Sequence, residues 1–229
     1  MRQLPLPIEL KNSAIFGTYF AGANALAVAH LRSVAEGAEG PGVWLWGSAS
    51  SGKSHLLQAL CAATGDSDGS AAYLPMSQMK PFGPGVLDGW EDQRLLAIDD
   101  LDVVAGDPEW EKALFNLYNG LIDRGGALAV ATTGGPSGIE FVLPDLRSRL
   151  KAAAVFQLVE PDESGVGAAL RLRAQHRGLE LPAETIQYLL RRLPRDMVSM
   201  CDLLEKLDVE SLAEQRRLTV PFVRSIIAG

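Results

Sequence analysis

Short apolar runs alternate with amphipathic stretches through the first two thirds of the chain. "GVWLWG" (42–47) is apolar and ends at glycine, which predicts a buried strand. "GKSHLLQALCAATG" (52–65) follows, with Leu56, Leu57, Leu60 and Cys61 at helical spacing. "SAAYLPM" (70–76) predicts a second strand, and "QRLLAIDDLD" (93–102) a third that ends in carboxylates. "PEWEKALFNLYNGLIDRGG" (108–126) predicts a helix with proline in its first turn and glycines at its stop. "ALAVATT" (127–133) and "AAAVFQL" (152–158) supply two more strands. Strands alternating with helices predict a parallel sheet covered on both faces. After about residue 160 the pattern becomes helical throughout: 162–177, 182–193, 195–208 and a short helix from 219. Pro161, Pro182, Pro194 and Pro221 fall where helices would start. The expected architecture is an α/β domain over 11–160 followed by a small all-helical domain over 161–229, with 35–42 and 65–70 as surface loops.

The first residues do not fit either domain. "RQLPLPIE" (2–9) carries two prolines, which exclude a helix or a central strand, yet Leu4, Leu6 and Ile8 are apolar. Three large aliphatics on an extended segment suit a docking peptide better than a core.

Composition narrows the class. The chain is 47% hydrophobic and 21% charged over 229 residues, ordinary for a protein with a sizeable core. No apolar run approaches the ~20 residues that span a bilayer, and no signal sequence opens the chain. Cys61 and Cys201 each lie in an apolar helical pattern, as expected of buried free thiols in a cytoplasmic protein. Net charge is −7, and neither the first 160 residues nor the rest carries a basic excess. Such a chain does not track a phosphate backbone unaided, so any work at DNA is expected to be indirect.

"GSASSGKS" (47–54) is a full match to G-x-x-x-x-G-K-[ST], placed after a predicted strand and opening a helix. Glycines at 47 and 52 let the loop wrap so that successive N–H groups face phosphate oxygens, aided by the helix N-terminus. The expected cofactor, ADP or ATP with Mg²⁺, is held by Gly47, Ser51, Gly52, Lys53, Ser54 and His55. Lys53 reaches the β- and γ-phosphates and the Ser54 hydroxyl binds Mg²⁺. "LLAIDD" (95–100) reads as a buried strand delivering two carboxylates: Asp99 for Mg²⁺ through its water shell, Asp100 to orient the attacking water. Many relatives of this architecture carry Glu at the position of Asp100, and the shorter Asp predicts slow intrinsic hydrolysis.

With these motifs in place the chain resembles AAA+ ATPases, specifically the DnaA/Hda branch, from about residue 3 to the end. "IFGTYFAGANALAVAHL" (15–31) resembles the segment entering the AAA+ fold, which implies that Phe16 and Tyr19 contribute to an adenine pocket. "LPDLRSRL" (143–150) resembles the arginine-finger segment, with Arg149 matching the finger and Arg147 as the neighbour that could share its role. "LPRDMVSM" (193–200) resembles the lid helix that carries sensor 2, with Arg195 as the matching arginine. At the sensor 1 position, where the family tends to place an acidic or amide residue, this chain offers Thr133, a weaker orienter of water. "QLPLPI" (3–8) resembles the branch's clamp-binding motif, which implies that Gln3 hydrogen-bonds the β sliding clamp while Leu4, Leu6 and Ile8 fill apolar subsites. The stretch 216–229 resembles the close of the regulators, without the helix-turn-helix DNA-binding domain that initiators carry.

The resemblance implies a regulator of replication initiation. It docks on the DNA-loaded clamp, meets DnaA through an AAA+ interface, and supplies Arg149 to complete hydrolysis of DnaA-bound ATP. Its contact with DNA is then only through the clamp, and its own ATPase is weak at most. A DnaC-like helicase loader, a stand-alone ATPase and a DnaA paralogue that titrates DnaA as an inactive subunit are the alternatives. Homo-oligomeric state, including a homodimer, stays open, as does the choice between ADP and ATP.

Overall fold

The computed structural model describes residues 14–38, 40, 42–66, 70–193, 197–214 and 217–228. The chain divides into two compact units. The first takes the described part of Met1–Phe16 together with Asn24–Val159, and the second takes Gly17–Ala23 with Glu160–Gly229.

The first unit is built on five parallel strands: β1 (Val43–Trp46), β2 (Ala71–Pro75), β3 (Leu95–Asp99), β4 (Ala127–Thr132) and β5 (Ala154–Gln157). Their spatial order is β2-β3-β4-β1-β5. α1 (Ala25–Ala35) precedes them, and between them run α2 (Lys53–Asp66), the single turn α3 (Met76–Met79), α4 (Pro108–Asp123) and α5 (Pro144–Lys151). Every residue of β3 is buried, as expected where helices cover both faces of a parallel sheet. Edge strand β5 alternates half-buried and exposed residues instead. Trp44, Leu74, Leu96, Ile98, Trp110, Leu117 and Val130 lie in one core cluster under α4. Cys61 belongs to the buried interior, and burial pushes its thiol up to about 12.

Local chemistry sets the helix ends. Pro108 opens α4, where a missing N–H costs nothing, and the Asp107 carboxylate accepts from the N–H groups of Glu109 and Trp110. The strands and long helices expected from sequence all form. The apolar pattern did not mark α1, α5, α3 or the 3₁₀ turns at Lys80–Phe82 and Pro84–Leu87, the last two in a glycine- and proline-rich stretch with no period to read.

One buried charge organises the end of this unit. Glu111 on α4 is fully buried, and its Oε1 accepts from Gly106 N at 2.7 Å and Val142 N at 3.1 Å. Its Oε2 accepts from Leu143 N at 2.6 Å. The carboxylate thus fastens the turn before α4 and the entry to α5. Glu111→Gln is expected to cost about 1–2 kcal/mol, because an amide nitrogen cannot accept and at least one N–H is left unpaired. Urea unfolding of the two proteins checks this.

The second unit contains α6 (Glu163–His176), α7 (Ala183–Arg192), α8 (Met197–Glu214) and α9 (Val220–Ala228). Asp162 caps α6 by accepting from Gly165 N, Pro182 is the cap of α7, and Pro221 sits in the first turn of α9; Pro194 lies outside the described residues. Leu170, Leu189, Leu204, Leu207, Phe222 and Val223 form its core. Thr185 Oγ1 donates to Leu218 O at 2.8 Å, tying α7 to the segment before α9.

Candidate nucleotide-binding site

The phosphate loop leaves the C-terminal end of β1, an interior strand paired with β4 and β5, and closes through a 3₁₀ turn at Ala49–Ser51 into α2. Two of its positions need glycine. Gly52 has φ 89°, in the left-handed region, and Gly47 has φ 153° with Leu158 O only 2.5 Å from where a Cβ would stand. The loop therefore passes close to neighbouring backbone, with Gly47 N–H donating to Thr132 O at 3.3 Å and Ser51 N–H to Ser48 O at 3.2 Å. Ser51 is buried and its hydroxyl donates to Ser48 O at 2.8 Å, tightening the turn. Lys53 is buried, and its ammonium donates to Gly47 O and Ser48 O, each at 2.7 Å. The cation is thus held at the loop that phosphates would enter. His55 Nε2–H donates to Ile15 O at 2.9 Å, tying α2 to the approach segment.

Beyond β4 from β1, strand β3 delivers the carboxylates. Asp99 is 1% exposed. Its Oδ2 accepts from the Tyr73 hydroxyl at 2.6 Å and its Oδ1 from Asp100 N at 3.0 Å, and the Ser54 hydroxyl also hydrogen-bonds it. Burial pushes the Asp99 carboxyl above its ordinary value, and the Ser54 and Tyr73 hydrogen bonds pull it partly back. The Tyr73 phenol is held above its ordinary value by burial and then by the Asp99 charge. Ser54 and Asp99, read from two separate motifs, are therefore in direct contact. Asp100 sits at φ 53°, the one left-handed non-glycine among the described residues, and its Oδ2 accepts from Ser77 Oγ at 2.8 Å.

An Mg²⁺-nucleotide fits this donor set. Hydroxyl and carboxylate oxygens suit a hard cation, and Mg²⁺ is ordinarily held by one or two protein oxygens plus phosphates and water. Among the described residues no group of three or more His, Cys, Asp and Glu could hold a metal unaided.

The remaining expected residues are placed less centrally. Thr133 follows β4 and is exposed; its N–H and hydroxyl both donate to Asp102 Oδ2. Arg149 lies exposed on α5 with its guanidinium carbon 6.0 Å from the Tyr118 ring, and Arg147 is exposed two residues earlier. Phe16 belongs to the first unit, buried under the Arg32 guanidinium at 5.0 Å, whereas Tyr19 belongs to the second. Gln3, Leu4, Leu6, Ile8 and Arg195 lie outside the described residues. Tyr73, Ser77 and Asp102 were not singled out from sequence. Tyr73 becomes legible only with the register: β2 pairs Pro75 with Asp99 and Tyr73 with Ala97, so period-2 alternation puts Tyr73 and Asp99 on one face.

Comparison with known proteins agrees with this geometry. Residues 162–227 match the family model described as the Hda lid domain. Residues 43–122, which span the phosphate loop and β3, match a model described as RNA helicase. Among solved structures, domain III of the Thermotoga maritima replication initiation protein DnaA superposes with a TM-score of 0.76 at 21% identity, covering 94% of this chain and 96% of that one. AMPPCP-bound DnaA from Aquifex aeolicus gives 0.72 at 20% identity, covering 89% and 67%. The Thermotoga maritima RuvB Holliday junction branch migration motor gives 0.62 at 15% identity, covering 90% and 66%. At these identities the likeness establishes the fold, and the lid match concerns the C-terminal stretch: residues 162–227 belong with the Hda lid domain, following in sequence an α/β unit with the fold of DnaA domain III.

Proposed function

We propose that this chain binds ADP or ATP with Mg²⁺ and restrains replication initiation by docking on the β sliding clamp and stimulating hydrolysis of ATP on DnaA. The observation that supports the reading is the match of residues 162–227 to the Hda lid, together with Lys53 bonded to the carbonyls of Gly47 and Ser48 and Ser54 bonded to Asp99. Lys53 would exchange its two carbonyl partners for phosphate oxygens. Ser54 and Asp99 would hold Mg²⁺, which neutralises phosphate charge. Asp100 and Thr133 are a weak pair for activating water: Asp100 is engaged by Ser77, and Thr133 spends its hydroxyl on Asp102. The nucleotide then serves mainly as a conformational ligand, read by Arg195, with Phe16 and Tyr19 toward the adenine. Arg149, exposed on a short helix, would act on the partner's nucleotide rather than on its own.

The direct test is conversion of radiolabelled ATP on DnaA to ADP in the presence of this protein and DNA-loaded clamp. Stimulated conversion is expected, and a rate equal to that of DnaA alone would end the proposal. Docking has its own check. Changing Gln3 and Leu4 together to alanine is expected to weaken clamp binding at least tenfold, since an anchor side chain and a polar contact are both lost. Surface plasmon resonance on immobilised clamp measures it, and equal binding by both proteins would release residues 3–8 from the role.

A further inference from the structure

Three of the large apolar side chains that stay exposed among the described residues share one end of the sheet. Phe82 is 57% exposed on the 3₁₀ turn that follows β2 and α3, Val103 is 37% exposed on the turn that follows β3, and Val142 is 59% exposed in the segment that follows β4. Strands of a parallel sheet all end on the same edge, and β2, β3 and β4 are neighbours, so the three leave adjacent strand ends in order. Hydrogen bonds join their segments. Lys80 Nζ donates to Val103 O at 2.7 Å, and Gly106 N and Val142 N donate to the same Glu111 Oε1 at 2.7 and 3.1 Å. Leu143 N is held by the other oxygen of that carboxylate, at the entry to α5, whose last turn carries Arg149. Exposed apolar residues are ordinary when scattered singly, whereas a row on mutually anchored turns marks an interaction surface. Because the turns are already fixed, covering the row costs little ordering.

We propose that Phe82, Val103 and Val142 form the apolar contact by which this chain recognises the α/β unit of DnaA, leaving Arg149 to act on the partner's nucleotide. This deepens the proposed function and rests on it. Continuity argues for that occupant: the row runs through Leu143 into the helix that presents the arginine, so a partner close enough to receive Arg149 lies against the row. Charge agrees with a protein partner. Asp102 and Glu140 sit beside Val103 and Val142 in the chain, and the neighbouring Lys80 spends its ammonium on Val103 O, so the surface suits an apolar face rather than a phosphate backbone. Recognition and chemistry are then divided between different side chains. Contacts that form equally before and during hydrolysis set how much regulator is needed, and the guanidinium sets the rate once the two proteins have met.

The test is single-turnover conversion of DnaA-bound ATP, with clamp loaded on DNA, over a concentration series of the full chain and of Phe82→Ser, Val142→Ser and the double variant. Both positions are exposed, so the fold is retained, and isothermal titration with ADP checks that nucleotide affinity is unchanged. Each single serine is expected to raise the regulator concentration giving half the maximal rate roughly tenfold, the scale of one interface anchor, with the rate at saturation unchanged. A double variant that half-saturates at the wild-type concentration would overturn the proposal. So would a lower saturating rate at unchanged half-saturation, which would put these side chains in the chemistry, or a loss of ADP affinity, which would put them in the nucleotide site. If wild type gives no stimulation at any concentration, the DnaA reading itself falls, an outcome distinct from all of these.

Discussion

Arg149→Ala is expected to slow hydrolysis of DnaA-bound ATP by roughly 10³-fold relative to the wild-type regulator, toward the rate of DnaA alone. A guanidinium supplied in trans stabilises charge on the transferring phosphoryl group, and the planar fork is what makes it effective. The structure gives Arg149 the required exposure, on the last turn of α5 and resting against the face of Tyr118. Arg149→Lys keeps the charge but loses the fork, so it should recover only a small part of the rate. Arg147→Ala, two residues earlier on the same exposed stretch, measures how far the neighbour contributes. Single-turnover conversion of DnaA-bound ATP reads all three, with clamp binding confirming that each variant still docks. Undiminished stimulation by Arg149→Ala would take the finger role from α5. If the variants suppress initiation without stimulating hydrolysis, the chain acts by titrating DnaA.

The second large effect belongs to Lys53. Lys53→Ala is expected to weaken nucleotide binding at least a hundredfold, because charge-assisted hydrogen bonds to phosphate are among the strong ones and this cation is already inside the loop. It already donates to two carbonyl oxygens of the loop itself, each at 2.7 Å. Substitution therefore removes a brace of the loop as well as a ligand to phosphate. Lys53→Arg separates the two effects. It keeps the charge and the bracing capacity but places a broader head in a buried slot, so its affinity should fall between the others. Titration with a fluorescent ADP analogue measures each, and alanine binding as tightly as wild type would exclude this loop as the phosphate site.

Much of this was legible in advance because the informative signals are local. A phosphate loop is a contiguous octapeptide, and the stretch "LLAIDD" carries both its burial and its carboxylates in six residues. The helical unit could be read from amphipathic spacing and from prolines at helix starts. Contacts between segments were less visible. That Tyr73 bonds Asp99 depends on the register of β2 against β3, which no single segment encodes. The link between Thr133 and Asp102 spans 31 positions and joins two loop residues. Glu111 looked like one more charge on an amphipathic helix, yet it is fully buried on backbone N–H groups from two loops. The contact of His55 with Ile15 O spans 40 positions and was likewise not visible in either segment.

The Glu111 carboxylate also has a mechanical consequence. Gly106 belongs to the segment that leaves β3, and Val142 and Leu143 lead directly into α5. One buried carboxylate therefore bonds both the stretch that carries Asp102 and the segment that enters the helix carrying Arg149. A displacement of either would act on the same carboxylate, so the two are expected to shift together.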